Sequence, residues 1–242
     1  QGNVLITNFR TGDLFRFGLD GGAATSPLAN AGLTIGQPTF GLDGRLYATH
    51  GATTGNFTTG NIVELDPQTG ATLRVVAANL TCPNGLAVDP LSGDLFFDGA
   101  CFGVGSDRPQ LFRITDPAGT DAGRPTEVVT YATFPHTPNG AIAFSPDGTI
   151  YVMVGYESVR QVYRVAGTDQ PQPAAFAPIP NLTAQFWVNV GEVNPDGSAK
   201  SLIVLGSAAP FPLRLADLGT DPPTLTPLTT NAVSSGTIGP DG

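Results

Sequence analysis

The sequence predicts an all-β fold, a five-bladed β-propeller made of four-stranded antiparallel blades. Three observations predict it: the composition, the regular spacing of turn glycines, and two chain ends that each supply half of one hairpin. The chain has 242 residues with 31 Gly and 22 Pro, and 13% of them are charged. Soluble domains carry about 25% charged residues, so this composition favours short strands and turns over charged amphipathic helices. Because 40% of the residues are hydrophobic, a disordered chain is excluded.

The charge balance excludes one class of partner. The chain has 11 basic and 20 acidic residues, which gives a formal net charge of -9. Proteins that bind nucleic-acid phosphates present basic surfaces, so we expect no nucleic-acid partner. The sequence contains no run of about 20 apolar residues and begins directly with a strand-like segment, so we expect neither a membrane span nor a signal peptide.

One element recurs along the chain: a short apolar run, a turn that ends in Gly, and a second apolar run. Its clearest copies lie at 38–49, 85–97 and 141–152, and a weaker copy lies at 191–204. β-Branched and aromatic residues around a turn of Pro, Asp and Gly are typical of a β-hairpin. The turn glycines are Gly44, Gly93, Gly148, Gly197 and Gly242. Their spacing divides the 242 residues into five units of about 48 residues.

A second recurring element is a strand that carries one charged residue among apolar ones. The charged positions are Arg16, Glu64, Arg113, Arg164 and Arg214. They repeat with the same period as the turn glycines. We interpret them as structural contacts to a neighbouring strand or to a turn carboxylate, and a ring of anion-binding arginines is the alternative.

The two ends of the chain complement each other. Residues 237–242 read as the first strand and turn of a hairpin, whereas residues 3–8 read as a second strand without a first. Pairing the two segments closes a ring and removes the exposed edges of a linear array. Four-stranded units of this length, arranged radially, form a β-propeller.

The predicted organisation is therefore a single domain, 1–242. Its blades are 233–242 with 1–33, then 34–79, 80–132, 133–180 and 181–230. A sandwich of antiparallel strands with accidental periodicity is the alternative fold, and a six-bladed ring is a further alternative.

Two segments resemble a known group of propellers. Residues 82–90 and 137–148, which carry Cys-Pro-Asn-Gly and Thr-Pro-Asn-Gly, resemble the repeats of the SMP-30/gluconolactonase, NHL and streptogramin-lyase-like propellers. The turn at 64–70 is similar to their second hairpin. The resemblance extends over nearly the whole chain, but its motifs are turn sequences, which specify a fold better than a function.

The two cysteines predict a disulfide and hence a compartment. In the hairpin that turns at 90–93, opposed residues have numbers that sum to about 183, and Cys82 and Cys101 satisfy this relation. A register without a bulge therefore places them within bridging distance. A disulfide indicates a secreted, extracellular or periplasmic protein, and two buried thiols are the alternative. Three Asn-Xaa-Thr triplets, at Asn56, Asn79 and Asn181, are possible N-glycosylation sites and give weaker support for secretion.

The resemblance also predicts where a site would lie. In those propellers, the loops at one end of the inner strands surround a common funnel. The residues of this sequence that would reach it are Asn8, His50, Asn84, Asp98, His136 and Asn139, and Asn189 and Glu192 are further candidates.

The lactonase-like interpretation needs a divalent cation, Ca²⁺ or another, held by oxygen ligands. Asn84 and Asn139 match the Asn-Gly motif that supplies a ligand in the resembled family, and Asp98 would add a carboxylate. The segment 233–237 lacks the Glu that the family's Glu-Gly-Pro motif provides, which weakens this interpretation. The alternative for both Asn residues is a structural role in tight turns. A lyase-like interpretation would use His50 or His136 as a general base.

We expect a secreted binding or scaffolding module that presents its loop-rimmed face to a carbohydrate, peptide or protein. A metal-dependent lactonase, hydrolase or lyase of the gluconolactonase-like type is the alternative, with Ca²⁺ or a similar cation as its only expected cofactor. A self-associating subunit of an extracellular assembly is the second alternative.

Overall fold

The computed structural model describes residues 3–8, 13–18, 27–30, 35–53, 56–99, 109–121, 123, 126–155, 160–165, 176–184, 187–205 and 212–228. All structural statements concern these residues. Within them the regular structure consists of nineteen β-strands in five antiparallel sheets, with no helix. The predicted all-β class is therefore confirmed.

The contacts divide the chain into two compact units, and the first comprises Gln1–Val88, Gly93–Asp107 and Arg113–Val129. Its first sheet has the order β1-β2-β3, formed by Asn3–Asn8, Asp13–Gly18 and Ala29–Asn30. Its second sheet has the order β4-β5-β6-β7, formed by Ile35–Phe40, Leu46–Thr53, Asn56–Leu65 and Thr72–Leu80. Strands β8 (Leu86–Val88) and β9 (Leu95–Asp98) follow. They form a four-stranded sheet with β10 (Gln110–Thr115) and β11 (Glu127–Thr133), and the unit boundary runs through these last two strands.

The second unit comprises Asp89–Ser92, Arg108–Phe112 and Thr130–Gly242. One of its sheets has the order β12-β13-β14-β15, formed by Pro138–Phe144, Ile150–Val154, Gln161–Val165 and Phe176–Thr183. The other has the order β16-β17-β18-β19, formed by Val188–Val190, Ser201–Leu205, Leu213–Asp217 and Thr224–Pro227. The arrangement of both units as a single domain, the blade limits and the number of blades stay predictions.

The hairpin turns are as the sequence predicts. Gly44, Gly93, Gly148 and Gly197 have φ angles of 82°, 76°, 83° and 86°. A left-handed φ is easy for Gly and strained for residues with a side chain, which explains the repeated glycine. The aspartate before the turn glycine has a structural role as well, since Oδ1 of Asp43 accepts a hydrogen bond from the Arg45 backbone N–H at 3.1 Å. The fifth turn glycine, Gly242, lies outside the described residues.

Alternating side chains of the strands form a hydrophobic core in each unit. In the first unit Leu14, Leu46, Ala48, Val63 and Leu65 pack together, and each is at most 1% exposed. The two-residue spacing within β5 and within β6 puts these side chains on one face of the sheet, as strand geometry requires. Burying a leucine side chain contributes about 1.5–3 kcal/mol to stability. In the second unit, Tyr151, Met153, Leu202 and Val204 belong to an equivalent cluster.

The charged strand positions make the structural contacts that their repetition predicts. Nε of Arg113 lies 2.5 Å from Oδ2 of Asp94, which directly follows the turn glycine of its hairpin. Oε2 of Glu64 lies 3.2 Å from Nη1 of Arg45 and 2.6 Å from Nε of Arg74. These contacts hold strands together, so the structural interpretation is confirmed at Glu64 and Arg113.

The register around Cys82 agrees in part with the predicted disulfide. Leu86 opposes Phe97, and the residues after them continue the predicted register. At the end of the hairpin, however, Asp98 accepts a hydrogen bond from the backbone N–H of Asn84 and donates its own to the carbonyl of Gly85. Two residues that share one partner form a β-bulge, which shifts the register towards Cys82. No free cysteine occurs among the described residues. Cys101 lies outside them, and its bridge to Cys82 stays a prediction.

No helix of the described residues is long and apolar enough to cross a membrane.

Candidate functional site

Two polar residues beside strand ends, Asn84 before β8 and Asp98 at the end of β9, come together with Thr49 in the first unit. Thr49, near the middle of β5, donates a hydrogen bond from Oγ1 to the backbone carbonyl of Asn84 at 3.2 Å. The backbone N–H of Asn84 donates to the carbonyl of Asp98 at 3.1 Å. Both backbone groups of Asn84 are therefore fixed, one by the neighbouring sheet and one by its own. We call Thr49, Asn84 and Asp98 the strand-end site.

The side chain of Asn84 is half-buried, and no hydrogen bond joins its amide to any described residue. This is unlike a structural Asn of a turn, which hydrogen-bonds nearby backbone groups. The amide offers both donors and an acceptor at a position held by the two sheets. No described residue competes with a ligand for this amide.

Asp98 lies at the base of the site and is 0% exposed. Its Oδ1 accepts a hydrogen bond from the backbone N–H of Gly85 at 3.4 Å. A buried charge is costly unless it is paired or hydrogen-bonded, so this contact helps to stabilise the carboxylate. It also ties the end of β9 to the residue that follows Asn84.

Pro83, the residue before Asn84, packs closely against Gly60 of β6. A Cβ atom on Gly60 would lie 2.9 Å from the carbonyl oxygen of His50 and 2.9 Å from Cδ of Pro83. Such distances are too short for a real Cβ, so only glycine lets Pro83 approach the β5–β6 hairpin this closely. Since Pro83 directly precedes Asn84, the contact fixes the backbone where the site begins.

His50 does not belong to the strand-end site. Successive side chains of a strand point to opposite faces, so the contact between Thr49 and Asn84 directs His50 to the other face of β5. Its Nε2 is buried without a hydrogen-bond partner among the described residues. Burial lowers the pKa of His50 below its ordinary value of 6.5, so the ring is neutral at neutral pH.

The remaining candidates are not brought to the strand-end site by any described contact. Asn8 ends β1 opposite Asp13, and Asn139 lies in β12, but both side chains fall outside the described residues. His136 is exposed, in the segment before β12. Glu192 is exposed, on the turn side of the β16–β17 hairpin, with its carboxylate 2.5 Å from Nζ of Lys200, and its place in the funnel stays a prediction. Asn189 accepts a hydrogen bond from the N–H of Val190.

The resemblance implies a divalent cation, which would need oxygen ligands from this site. Ca²⁺ takes six to eight oxygen ligands, several of them carboxylates. The strand-end site supplies one carboxylate, already directed at a backbone N–H, and one amide. No group of three or more His, Cys, Asp or Glu side chains in the described part of the chain is arranged to hold a metal. The described residues by themselves therefore do not fit such a cation.

Comparisons with solved structures identify the fold. A gluconolactonase from Xanthomonas campestris matches with a TM-score of 0.70 and 17% identity, over 97% of this chain and 75% of that one. Virginiamycin B lyase from Staphylococcus aureus matches with a TM-score of 0.58 and 16% identity, over 96% and 68%. A streptogramin B lyase matches with a TM-score of 0.63 and 15% identity, over 100% and 71%.

The chain has a β-propeller fold. The turn motifs predict this fold, and the matched structures confirm it. At these identities the likeness shows the propeller fold alone, because one fold serves many functions. No protein-family model and no curated protein sequence matches the chain.

Sequence reasoning found Asn84 and Asp98 but missed the residues that position them. The alternation of side chains along a strand could have identified Thr49, because Thr49 precedes His50 and therefore points to the opposite face of β5. Gly60 carries no recognisable motif. Its role depends on how close Pro83 comes to β5 and β6, which is a property of packing between sheets.

Proposed function

We propose that this propeller is a binding module whose strand-end site recognises a neutral, hydroxyl-bearing ligand, with a carbohydrate as the best candidate. The observation that carries the proposal is the side-chain amide of Asn84, which has no hydrogen-bond partner among the described residues although the backbone of Asn84 is fixed on both sides. A polar group that is held in place before binding loses little conformational freedom when the ligand arrives.

The chemistry of the amide favours hydroxyl groups. An amide donates and accepts hydrogen bonds, and a sugar hydroxyl does both, so the two can pair in either direction. The net charge of -9 disfavours anionic ligands at long range. The hydroxyl of Thr49 is already used to hold Asn84, so Thr49 positions the site and does not itself recognise the ligand.

The proposal is tested by NMR with ¹⁵N-labelled protein and a panel of neutral mono- and disaccharides. We expect at least one sugar to shift the Asn84 side-chain amide signals in a saturable way. Asn84→Ala should abolish saturable binding, whereas Asn194→Ala, which removes an amide bonded to Ser198 within a turn, should bind as the parent does. Binding that persists unchanged in Asn84→Ala would contradict the assignment of the site.

The second candidate is a metal-dependent lactonase, hydrolase or lyase. One observation favours it: the wholly buried Asp98 shares a backbone hydrogen bond with Asn84, whose side-chain amide has no partner among the described residues. These two residues would be part of the ligand set, and the cation would polarise a carbonyl oxygen of the substrate. The other ligands would have to come from residues outside the described ones.

Metal analysis separates the two candidates. The enzyme predicts a stoichiometric divalent cation in the purified protein, lost in Asp98→Asn and retained in the turn variant Asp43→Asn. Hydrolysis of a simple lactone should follow the metal content of these variants. If saturable sugar binding is independent of added Ca²⁺ and of a chelator, the binding module is supported and the metal enzyme is not.

A further inference from the structure

Two Asn-Leu-Thr triplets occupy the same place in two different sheets. Asn79 lies next to the last residue of β7, and Asn181 lies near the end of β15. Each strand is the outermost of its sheet. Both residues lie where the register with the neighbouring strand shifts at a β-bulge. Their φ angles, 58° and 57°, are almost identical.

The bulge turns both asparagine side chains outward. Asn79 and Asn181 are exposed, whereas Leu182, which follows Asn181, is 1% exposed and belongs to the core. Within the described part of the chain no hydrogen bond involves either side-chain amide. In the described structure, therefore, no contact of the fold competes with modification of the two amide nitrogens.

Backbone conformation explains only part of the triplet. Asparagine tolerates a left-handed φ better than most residues, which accounts for Asn at both positions. It places no demand on the residue two positions later. Yet Thr81 and Thr183 complete the N-glycosylation pattern in both sheets.

We infer that Asn79 and Asn181 are acceptors for N-linked glycans, an inference that rests on the secreted location predicted from the sequence. The donor is an oligosaccharide attached to a lipid diphosphate. In the transfer, Nδ2 of Asn forms a bond to the first carbon of the sugar and loses a proton. The bond from that carbon to the diphosphate oxygen breaks, and the lipid diphosphate leaves.

A glycan at these positions would protect exposed strand edges. Outermost strands carry unpaired backbone groups that can pair with another chain, and natural proteins cover such edges. β7 also exposes Leu73 by 59% and Val75 by 51%, which adds apolar surface to its edge. A bulky, hydrophilic sugar chain at Asn79 would hinder approach to this edge.

The test is secretion of the full chain from a eukaryotic host, followed by glycosidase treatment and peptide mass spectrometry. The enzyme that releases N-glycans converts the modified Asn to Asp, so occupancy is measured site by site. We expect Asn79 and Asn181 to be modified in most secreted molecules. Thr81→Ala should abolish modification of Asn79 alone, and Thr183→Ala that of Asn181 alone, while both keep the asparagine required by the backbone.

Two further variants keep the result decisive. Asn79→Gly removes the acceptor while allowing the same left-handed φ, so it should be secreted without a glycan at that site. Asp196→Asn creates an Asn-Gly-Ser triplet in an exposed turn and serves as a positive control for the host. If that control is modified while Asn79 and Asn181 are bare in the same secreted chain, the inference is wrong.

Discussion

The carboxylate of Asp94 accepts a hydrogen bond from Nε of Arg113 at 2.5 Å, and this pair repeats an earlier contact of the chain with its charges exchanged. In the preceding sheet the position after the turn glycine is Arg45, and the charged strand position is Glu64. Glu64 is the acidic exception among the five charged strand positions, and its partner Arg45 is basic where the partner of Arg113 is acidic. A structural ion pair explains this exchange, whereas a ring of anion-binding arginines does not.

The Asp94–Arg113 pair makes a sharp stability prediction. Asp94 is 0% exposed, and its other oxygen accepts the backbone N–H of Asp116 at 3.2 Å. Arg113→Met leaves this carboxylate buried without its cation, so we expect a loss of about 3–5 kcal/mol in the free energy of unfolding. Urea denaturation measures the loss.

Two comparisons identify its cause. Adding Asp94→Asn to Arg113→Met should recover part of the lost stability, because Asn keeps an acceptor for Asp116 and removes the buried charge that Arg113 no longer faces. Arg45→Met should cost about 1 kcal/mol or less, since Arg45 is partly exposed and Glu64 keeps Arg74. Equal losses in Arg113→Met and Arg45→Met would contradict the explanation from burial.

The repeating parts of this fold could be predicted from the sequence because they are local. A turn residue with a left-handed φ favours glycine at one position in each hairpin. Burial of every second side chain puts apolar residues at alternate positions of the strands. The partner of Glu64 was not predicted, because Arg74 contacts it across a bulged register of β6 and β7. Bulges shift the pairing without leaving a residue pattern that can be counted.

His50 should make stability depend on pH in a defined direction. Burial lowers the pKa of His50 in the folded protein, whereas the unfolded chain titrates near 6.5. Below that value the unfolded state binds more protons than the folded state, so the contribution of His50 is fully present above it and is lost as the pH falls. We expect His50→Gln to flatten the decrease in unfolding free energy between about pH 7 and pH 5, the range below the ordinary value.

The parent is the reference for this titration, because it shares every titratable group except His50 with the variant. Subtracting the curve of His50→Gln from that of the parent removes the contribution of the carboxylates. A parent curve that coincides with that of His50→Gln over the whole range would show that the buried ring does not affect stability.

Gly60 should be irreplaceable for a steric reason. In Gly60→Ala the new Cβ meets the His50 carbonyl and Pro83 at 2.9 Å, and backbone atoms cannot move aside cheaply. We expect a loss of about 1–3 kcal/mol in stability. Weaker ligand binding should follow, because Pro83 precedes Asn84. In Gly123→Ala, whose Cβ would lie 3.4 Å from Oδ1 of Asp121, the change should stay within about 0.5 kcal/mol.

The candidate site illustrates the limit of sequence reasoning in the same way. Asn84 and Asp98 were found because a turn motif and a strand end mark them. Their separation from His50 arises because Thr49, and not His50, is the residue of β5 that contacts Asn84. Which residue of β5 does so depends on the register of this strand with β4 and β6. The register shifts between Ile35 and Pro38, so counting residues from the turn does not give the facing side chains near His50.

The predicted bridge between Cys82 and Cys101 is checked by thiol titration. Under denaturing, non-reducing conditions we expect no reactive thiol, and after reduction both cysteines should react. Closing a loop of this size stabilises the folded state by about 3 kcal/mol. Reduction should therefore lower the midpoint of urea denaturation, and it should have no effect in Cys101→Ser. Two reactive thiols before reduction would refute the bridge.

Closure by the chain ends predicts that the last residues are needed for stability. β1 pairs with β2 along its whole length, from Asn3 opposite Gly18 to Asn8 opposite Asp13, and Leu5 packs against the core. In the predicted ring the other edge of β1 pairs with residues 233–239, which lie outside the described residues. Ending the chain after residue 230 should therefore expose that edge, lower the unfolding temperature and promote association at high protein concentration. A synthetic peptide of residues 231–242, added to the shortened chain, should reverse both effects. A shortened chain as stable and as monomeric as the parent would show that β1 does not need this partner.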